Sequence, residues 1–254
     1  MTNGGAVLFA RYAYPPNALG YCGTDAARQL LEQVDAGVDD GGLRRLVRGF
    51  EGAWPYLELI ARATGLDPLD RRVVEAYWLG NDLLQRVDRA VLGRSLEDRF
   101  HPRLGRGDGS AFVDAIPAAA VPHHSFHVFV VYPWLGLLRT GIVDEPLRVL
   151  DRCRIRWGRV VDVDGATALV RSRPLVWEGR SLRLGVPLVE RLATGGGGLR
   201  LTRPLAPGDW CSMHWNWVCD RLTRRDAVRL ASWSARQLAA AQGQPRPSPA
   251  MLFS

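Results

Sequence analysis

Lysine is absent from this chain of 254 residues, so its 33 basic residues are all arginine. Against 26 acidic residues they leave a formal net charge of +7. The arginines are scattered among Asp and Glu instead of forming one stripe, and zinc-finger, helix-turn-helix and RNA-binding signatures are missing. Because formal charge by itself affects mainly solubility and nonspecific association, we expect no nucleic-acid partner.

Long hydrophobic runs are also missing. Pro, Gly, Arg or His interrupts every apolar stretch well before the roughly 18 residues that a membrane helix needs. The start, Met1–Gly5, lacks the basic and apolar regions of a secretory signal. We therefore expect a cytoplasmic protein without a membrane span, and its 47% apolar content suffices for one large core or two smaller ones.

Cysteine is scarce, with Cys22, Cys153, Cys211 and Cys219 as the four examples. None belongs to a Cys-x-x-Cys motif, which excludes a zinc ribbon and a thioredoxin-type pair. In a cytosolic chain we expect reduced thiols. Cys211 and Cys219 are predicted to lie in one strand, facing the same side, with a packing role.

The first part of the chain, residues 1–145, is predicted to be a mainly α-helical domain. A helix is expected over 24–36 with Thr24 as its cap, and another from Leu43 that Pro55 kinks or splits. Asp67-Pro68 is typical of a third helix start. Residues 121–135 favour a strand by their β-branched and aromatic content, although a buried helix has the same pattern.

Residues 146–244 are predicted to form a small β-domain with a terminal helix. The turn Asp164-Gly165 between alternating segments predicts a hairpin. Thr223 and Asp226 have the spacing of a capping box at the start of the last helix. Residues 245–254 are expected to be a flexible tail, and the fold class is α+β. Further strands are expected over 174–178, 182–189, 199–203 and 209–219.

Two runs in this β-domain resemble the HypC/HupF family of [NiFe]-hydrogenase assembly chaperones, which are small β-barrels with a C-terminal helix. The run Cys153–Val161 followed by Asp164-Gly165 has the order of that family's first motif. The segment Gly208–Val218, with His214 near its end, is similar to its late motif. The resemblance covers residues 152–241 and implies a HypC-like β-barrel. The whole chain also resembles an uncharacterised actinobacterial family, which implies no mechanism.

The resemblance implies that Cys153 carries an iron fragment with CO and cyanide ligands, or contacts a partner that does, with His214 as a second contact. Thiolate and imidazole both suit iron. The family's cysteine is N-terminal, whereas Cys153 is internal, so docking on a hydrogenase large subunit or another assembly protein carries over most directly. Trp157, Trp210 and Trp217, which lie in these two runs, are further candidate binding residues.

The basic neighbours of Cys153 suggest an activated thiol. Arg152, Arg154 and Arg156 are expected to stabilise a thiolate electrostatically and to lower the pKa of Cys153. A small buried hydrophobe at a strand start remains the alternative for this cysteine.

His123, His124 and His127 form a second candidate metal site. On a helix, His123 and His127 would be neighbours on one face, the separation at which two imidazoles can hold one metal. On a strand their even separation also places them on a common face. Histidines satisfied in the core or facing solvent are the alternative.

An aromatic, proline-containing arm over residues 11–23 is a third candidate. It is expected either to pack across the helices or to place Tyr14, Asn17, Tyr21 and Cys22 around a binding pocket.

From this resemblance we expect a non-enzymatic accessory in [NiFe]-hydrogenase maturation. It would bind the precursor of an iron or nickel centre, or dock on the hydrogenase large subunit or another assembly protein. One alternative is a metal- or small-molecule-dependent enzyme that uses the His123/His127 region, with the β-domain as a docking adaptor. The other is a metal-free protein-interaction module.

Overall fold

The computed structural model describes residues 4–104 and 116–243. It confirms the α+β class, with helices dominating the first part and strands the second. The predicted tail 245–254 lies outside the described residues. In the part that is described, no helix is both long and apolar enough to cross a membrane.

The first part is helical, as predicted, and Pro55 lies in the first turn of a helix that starts at Trp54. The earlier helix from Gly41 ends at Arg48, so Pro55 marks the predicted split. The elements are α1 Gly5–Ala18, α2 Ala27–Ala36, α3 Gly41–Arg48, α4 Trp54–Thr64, α5 Arg71–Trp78, a 3-10 turn Asp82–Arg86 and α6 Arg89–Leu104.

Helix α1 is the central element of this part and was not predicted. It covers most of the expected N-terminal arm, and its residues from Gly5 to Asn17 are buried. A helix that is buried on all sides lacks the amphipathic pattern by which surface helices are recognised. Pro15 and Pro16 lie inside its last turns, which concealed it further.

Two predicted helix starts were a few residues early. Helix α2 has Ala26 rather than Thr24 at its N-cap. Helix α5 is capped by the Asp70 carboxylate, which accepts a hydrogen bond from the Arg72 N–H at 2.9 Å, instead of by Asp67. The first backbone N–H groups of a helix need partners outside the helix, and the surrounding packing decides at which residue they find them.

Within the segment 121–135 the structure has a continuous helical stretch from His124 to Val131, so the strand prediction was wrong and the alternative of a buried helix is confirmed. Helix α7, His124–Phe126, runs directly into a π-helical turn, His127–Val131. Its own residues are mostly buried and apolar. A short run of buried apolar residues has the same sequence pattern in a strand and in a helix. Two helices follow: α8 Trp134–Arg139 and α9 Asp144–Cys153.

Between residues 156 and 222, all of which are described, the strands follow in the order β1 Arg156–Asp164, β2 Thr167–Ser172, β3 Leu175–Glu178, β4 Ser181–Leu184, β5 Leu188–Ala193, β6 Gly195–Gly196, β7 Leu199–Arg200, β8 Trp210–His214 and β9 Trp217–Leu222. Five of them pair in the closed order β1-β2-β5-β9-β8, while β3-β4 and β6-β7 are separate hairpins. The β5–β9 contact is parallel and has one residue pair, Ala193 with Trp217. The hairpin predicted at Asp164-Gly165 is present between β1 and β2.

Cys211 and Cys219 lie on different strands, which corrects the prediction of one strand over 209–219. The chain turns between β8 and β9 at Trp215, whose φ of 52° is in the left-handed region. Cys211 packs with Val160 and Met213 among the five paired strands. Cys219 packs in the core of the helical part. Both are buried packing residues, but they do not share a side.

One core joins the helical part to the strands. Ile155, Cys219 and Leu222 belong to the same buried cluster as helices α1–α5. Helix α10, Arg224–Gln242, adds Trp233 to it and begins with the predicted Thr223–Asp226 capping box. The predicted boundary between residues 145 and 146 falls inside α9.

Candidate metal centre

Three residues that are far apart in the sequence meet in the interior. One ligand atom each of His124, Cys153 and His214 lies within 4.8 Å of the other two. All three residues are buried. His124 begins α7, Cys153 ends α9 and His214 ends β8. Two imidazoles and a thiol at this spacing are a donor set for a transition metal.

A main-chain hydrogen bond brings the last two together. The N–H of Trp215 donates to the carbonyl oxygen of Arg152 at 2.7 Å. It fastens the turn after β8 to the last turn of α9, so that the residues on either side of it, His214 and Cys153, become neighbours. The left-handed conformation of Trp215 aims its N–H at α9.

The His214 ring is held in one orientation. Its Nδ1–H donates to the carbonyl oxygen of Tyr12 at 2.6 Å. Because a carbonyl oxygen can only accept, Nδ1 carries the proton and Nε2 keeps its lone pair. That buried Nε2 atom has no hydrogen-bond partner among the described residues. Burial lowers the pKa of His214 well below its usual value, so the ring is neutral.

The His124 ring is also neutral and oriented. Its Nε2–H donates to the carbonyl oxygen of Cys153 at 2.8 Å, and its Nδ1 accepts from the Tyr77 hydroxyl at 3.2 Å. Burial lowers the pKa of His124 to about 4. The His124 and His214 rings meet edge to face with their centroids 5.2 Å apart. A metal bound by His124 would replace one of these two hydrogen bonds.

The thiol of Cys153 is protonated in this environment, which corrects the expected effect of the arginines. Cys153 is 8% exposed, and burial raises the pKa of its thiol. The neighbouring guanidinium groups pair with carboxylates rather than with the sulfur. The pairs are Arg152–Glu190, Arg154–Asp151 and Arg156–Glu190.

A cavity of about 220 Å³ adjoins the cluster. Tyr77, Trp78 and Trp215 form aromatic walls, and His127 and Cys22 add a further imidazole and thiol. Trp215 is stacked against Tyr21 with ring centroids 4.2 Å apart. The cluster is therefore next to space that a small ligand can occupy.

Among the predicted metal residues, the structure brings together Cys153, His214 and His124. His127 lines the cavity, but its Nδ1 pairs with the Tyr56 hydroxyl at 3.0 Å, and burial lowers its pKa to about 3. His123 caps α7, with its Nδ1 accepting from the Ser125 N–H at 3.1 Å. The expected pairing of His123 with His127 on one metal is not present.

The residues of the predicted N-terminal arm separate into two groups. Tyr21 and Cys22 line the cavity, as a pocket role requires. Asn17 is structural, because its Nδ2 donates to the carbonyl oxygens of Cys22 and Thr24. Tyr14 packs edge to face against Trp217, with centroids 5.0 Å apart.

Trp157, Trp210 and Trp217, which were predicted as binding residues, do not line the cavity. Trp157 lies beside the Arg154 guanidinium, Trp210 beside that of Arg159, and Trp217 beside Tyr14. Trp78, Trp134 and Trp215 line the cavity instead, and the sequence pattern had not singled out Trp215. Its place between two alternating segments, next to Asn216, was the available signal of a turn. Tyr77 and Trp78 carried no comparable signal, because they sit in an ordinary amphipathic pattern.

Fold and site together define an α+β protein with a buried His–Cys–His cluster at the junction of helices and strands. The chain belongs to a family of unknown function, DUF6390, whose match extends over residues 1–247. No curated protein matches the chain, and no solved structure does.

Proposed function

We propose that this protein binds a transition-metal ion through His124, Cys153 and His214. The observation that carries the proposal is the unpartnered Nε2 of His214, buried within 4.8 Å of ligand atoms from the other two residues. A buried nitrogen lone pair without a donor is costly unless something binds there. The Tyr12 carbonyl on the opposite nitrogen is the outer contact that metal-ligating histidines typically have.

Three protein ligands leave a tetrahedral metal with a free position. Structural zinc sites are closed by four protein ligands, whereas sites that handle a substrate or cargo keep a position open. Here the adjoining cavity of about 220 Å³ offers room at that position. The arrangement thus favours a metal that receives or passes on a further ligand.

The role we propose is a non-enzymatic accessory in [NiFe]-hydrogenase maturation, with an iron fragment bearing CO and cyanide as cargo. Support comes from Cys153 and His214, the two residues that the resemblance to assembly chaperones selects, which are neighbours in the fold. A HypC-like identity for the closed set of five strands belongs to the same proposal. The partners would be the hydrogenase large subunit or another assembly protein.

An enzyme is the second candidate, because His127 and Tyr132 also line the cavity. Neutral imidazole beside a metal can accept a proton from a bound substrate. Burial keeps His127 neutral at pH 7. This candidate requires that His127 be needed for turnover but not for metal binding.

Metal content tests the site directly. The wild-type protein, Cys153→Ser and His214→Gln are titrated with Co²⁺, whose thiolate absorption reports a sulfur ligand. Cys211→Ser is the matched control, since Cys211 is buried and does not line the cavity. We expect stoichiometric binding with a thiolate band in the wild type and in Cys211→Ser, with loss of the band in Cys153→Ser and weaker binding in His214→Gln. Equal binding in all four proteins would overturn the site.

The biological role needs a separate measurement. Protein isolated from cells that make a [NiFe] hydrogenase is analysed for iron, for CO and cyanide infrared bands, and for a co-purifying large subunit. CO and cyanide bands that are present in the wild type and absent from Cys153→Ser would support the role as an iron carrier. A bound subunit without metal in any sample would leave an interaction module, and metal without subunit or bands would favour the enzyme.

A further inference from the structure

A second cavity, away from the metal centre, has the composition of an anion site. It measures about 320 Å³ and lies between α1, the end of α2 and the loop after β7. Its polar side chains come from Arg11, Asp35, Arg200, Thr202 and Arg203. An adjacent cavity of about 410 Å³ shares the last three and is bordered by the loop Gly195–Gly198.

Arg11 is the central feature, because its guanidinium is buried with donors to spare. The residue is 3% exposed, and neither Nε nor Nη1 has a hydrogen-bond partner in the described part of the chain. The Asp220 carboxylate lies 3.3 Å from Nη1 and balances the charge without the geometry of a hydrogen bond. A guanidinium presents its N–H groups in a fixed fork that matches an oxyanion.

Thr202 supplies a second orphaned group at the same place. It is 7% exposed, and its Oγ1 hydroxyl finds no partner within residues 4–104 and 116–243. It lines both cavities. A hydroxyl next to an arginine fork is a usual partner for phosphate oxygens.

The charge around the cavity is positive. The exposed side chains of Arg200 and Arg203 form no ion pair with any described residue. Asp35 is the one acidic residue among the described residues that line the cavity, and its Oδ1 accepts a hydrogen bond from the Arg200 N–H at 2.9 Å. The carbonyl oxygens at the end of α2 are occupied as well, since those of Gln33 and Val34 accept main-chain N–H groups. The positive charges of Arg11, Arg200 and Arg203 therefore exceed the negative charges nearby, which are those of Asp35 and of Asp220, the partner of Arg11.

We propose that this cavity binds a phosphate-type oxyanion, held by the Arg11 fork, the Thr202 hydroxyl and Arg203. The adjacent cavity leaves room for a second phosphate or for the organic part of a phosphate ester. Binding there is independent of the metal centre, because none of these side chains lines the cavity beside His124, Cys153 and His214.

Calorimetric titration with inorganic phosphate and with pyrophosphate, against chloride as the reference anion, tests the site. The variants are Arg203→Gln and Thr202→Val, with Arg45→Gln as a control for the loss of one exposed arginine elsewhere. Arg11 is left unchanged because its removal would strand the buried Asp220. We expect a single site whose affinity falls about tenfold or more in Arg203→Gln and about fivefold or more in Thr202→Val, and is unaltered in Arg45→Gln.

The two probes separate a lone phosphate site from an extended one. Pyrophosphate that binds more tightly than phosphate assigns the adjacent cavity to the same ligand, and equal affinities confine the site to the Arg11 cavity. Equal weakening in Arg203→Gln and Arg45→Gln, with Thr202→Val unchanged, would reduce the effect to net charge and overturn the proposal, as would undetectable binding of both anions. Unchanged Co²⁺ binding in these variants keeps the result distinct from the fate of the metal site.

Discussion

His214 donates a hydrogen bond from Nδ1 to the main-chain carbonyl oxygen of Tyr12, although 202 residues separate them in the sequence. The bond ties the end of β8 to the middle of α1 and fixes the proton on the nitrogen that faces away from the cluster. The Tyr12 side chain reinforces the contact, because its hydroxyl pairs with Ser212 on the same strand at 2.8 Å. The fold therefore holds Nε2, the other ring nitrogen, in one orientation toward the cluster.

Metal affinity should rise with pH, with one proton released per ion. The thiol of Cys153 has a raised pKa and must lose its proton on binding, whereas the histidines are already neutral at pH 7. We expect the apparent dissociation constant for Co²⁺ to fall by about tenfold per pH unit between roughly pH 6 and 8. Competition titrations in matched buffers measure it.

The Cys211→Ser control should keep this slope, and proton release in weak buffer should be close to one per ion. A pH-independent constant would show that the sulfur is not a ligand, and two protons would point to a second thiol such as Cys22.

The fold should lose stability in mild acid. Burial lowers the pKa of His123 and His127 to about 3 and that of His124 to about 4, below the usual value of 6.5. As the pH falls below about 6.5, the unfolded chain binds these protons and the folded protein does not, so each histidine lowers the free energy of unfolding by up to about 1.4 kcal/mol per pH unit.

Urea unfolding at about pH 7, 6 and 5 checks this linkage. His127→Gln should unfold with a shallower pH dependence than the wild type, because one buried base is gone. A free energy of unfolding that is flat across this range would contradict neutral buried histidines.

Glu190 is expected to be the most sensitive acidic residue of the strand region. Its carboxylate pairs with Arg152 and with the buried Arg156, and it accepts from the Ser172 hydroxyl. Glu190→Gln removes the charge that compensates Arg156 and should cost about 3 kcal/mol. The control Glu145→Gln breaks an exposed pair with Arg148 and should cost less than about 1 kcal/mol.

Thermal denaturation of both variants provides the comparison. Similar melting temperatures for Glu190→Gln and Glu145→Gln would mean that water, rather than Glu190, compensates the Arg156 guanidinium.

Substitution of Gly158 should destabilise the protein, because β2 lies close to β1 at this residue. A Cβ atom there would lie 2.6 Å from the Arg171 carbonyl oxygen and 2.7 Å from Val170 Cγ1. Gly158→Ala should destabilise the protein by about 2 kcal/mol. Gly136→Ala in α8 meets open space and should stabilise it by about 0.5–1 kcal/mol.

Chemical denaturation of these two alanine variants measures the difference. Equal stabilities would indicate that β1 and β2 can move apart at this point without cost.

Local signals predicted much of the secondary structure. The Thr223–Asp226 capping box, the Asp164-Gly165 turn and the break at Pro55 each depend on residues close in sequence, and each is present. Helix α1 and the segment after His123 were missed or misassigned because they are buried on all sides. A buried helix has no polar face, so periodicity carries no information about it.

All three members of the cluster were among the five predicted metal residues, but the sequence favoured the wrong histidines as partners of one another. Cys153 and His214 were paired by resemblance to known motifs, and their proximity in the structure depends on the bond between the Trp215 N–H and the Arg152 carbonyl. Among the three neighbouring histidines, spacing favoured His123 with His127. The π-helical turn and the cap at His123 instead turn His124 toward the cluster.

By itself the sequence determined an α+β chain with short-range caps and turns, and a small set of histidines and cysteines that could bind metal. Only the tertiary structure decided that His124, Cys153 and His214 lie together and that the thiol is protonated. It also decided that the arginines beside Cys153 form ion pairs with Glu190 and Asp151. The reason is physical: proximity and burial of these groups come from contacts between distant segments, and pKa values follow from that burial.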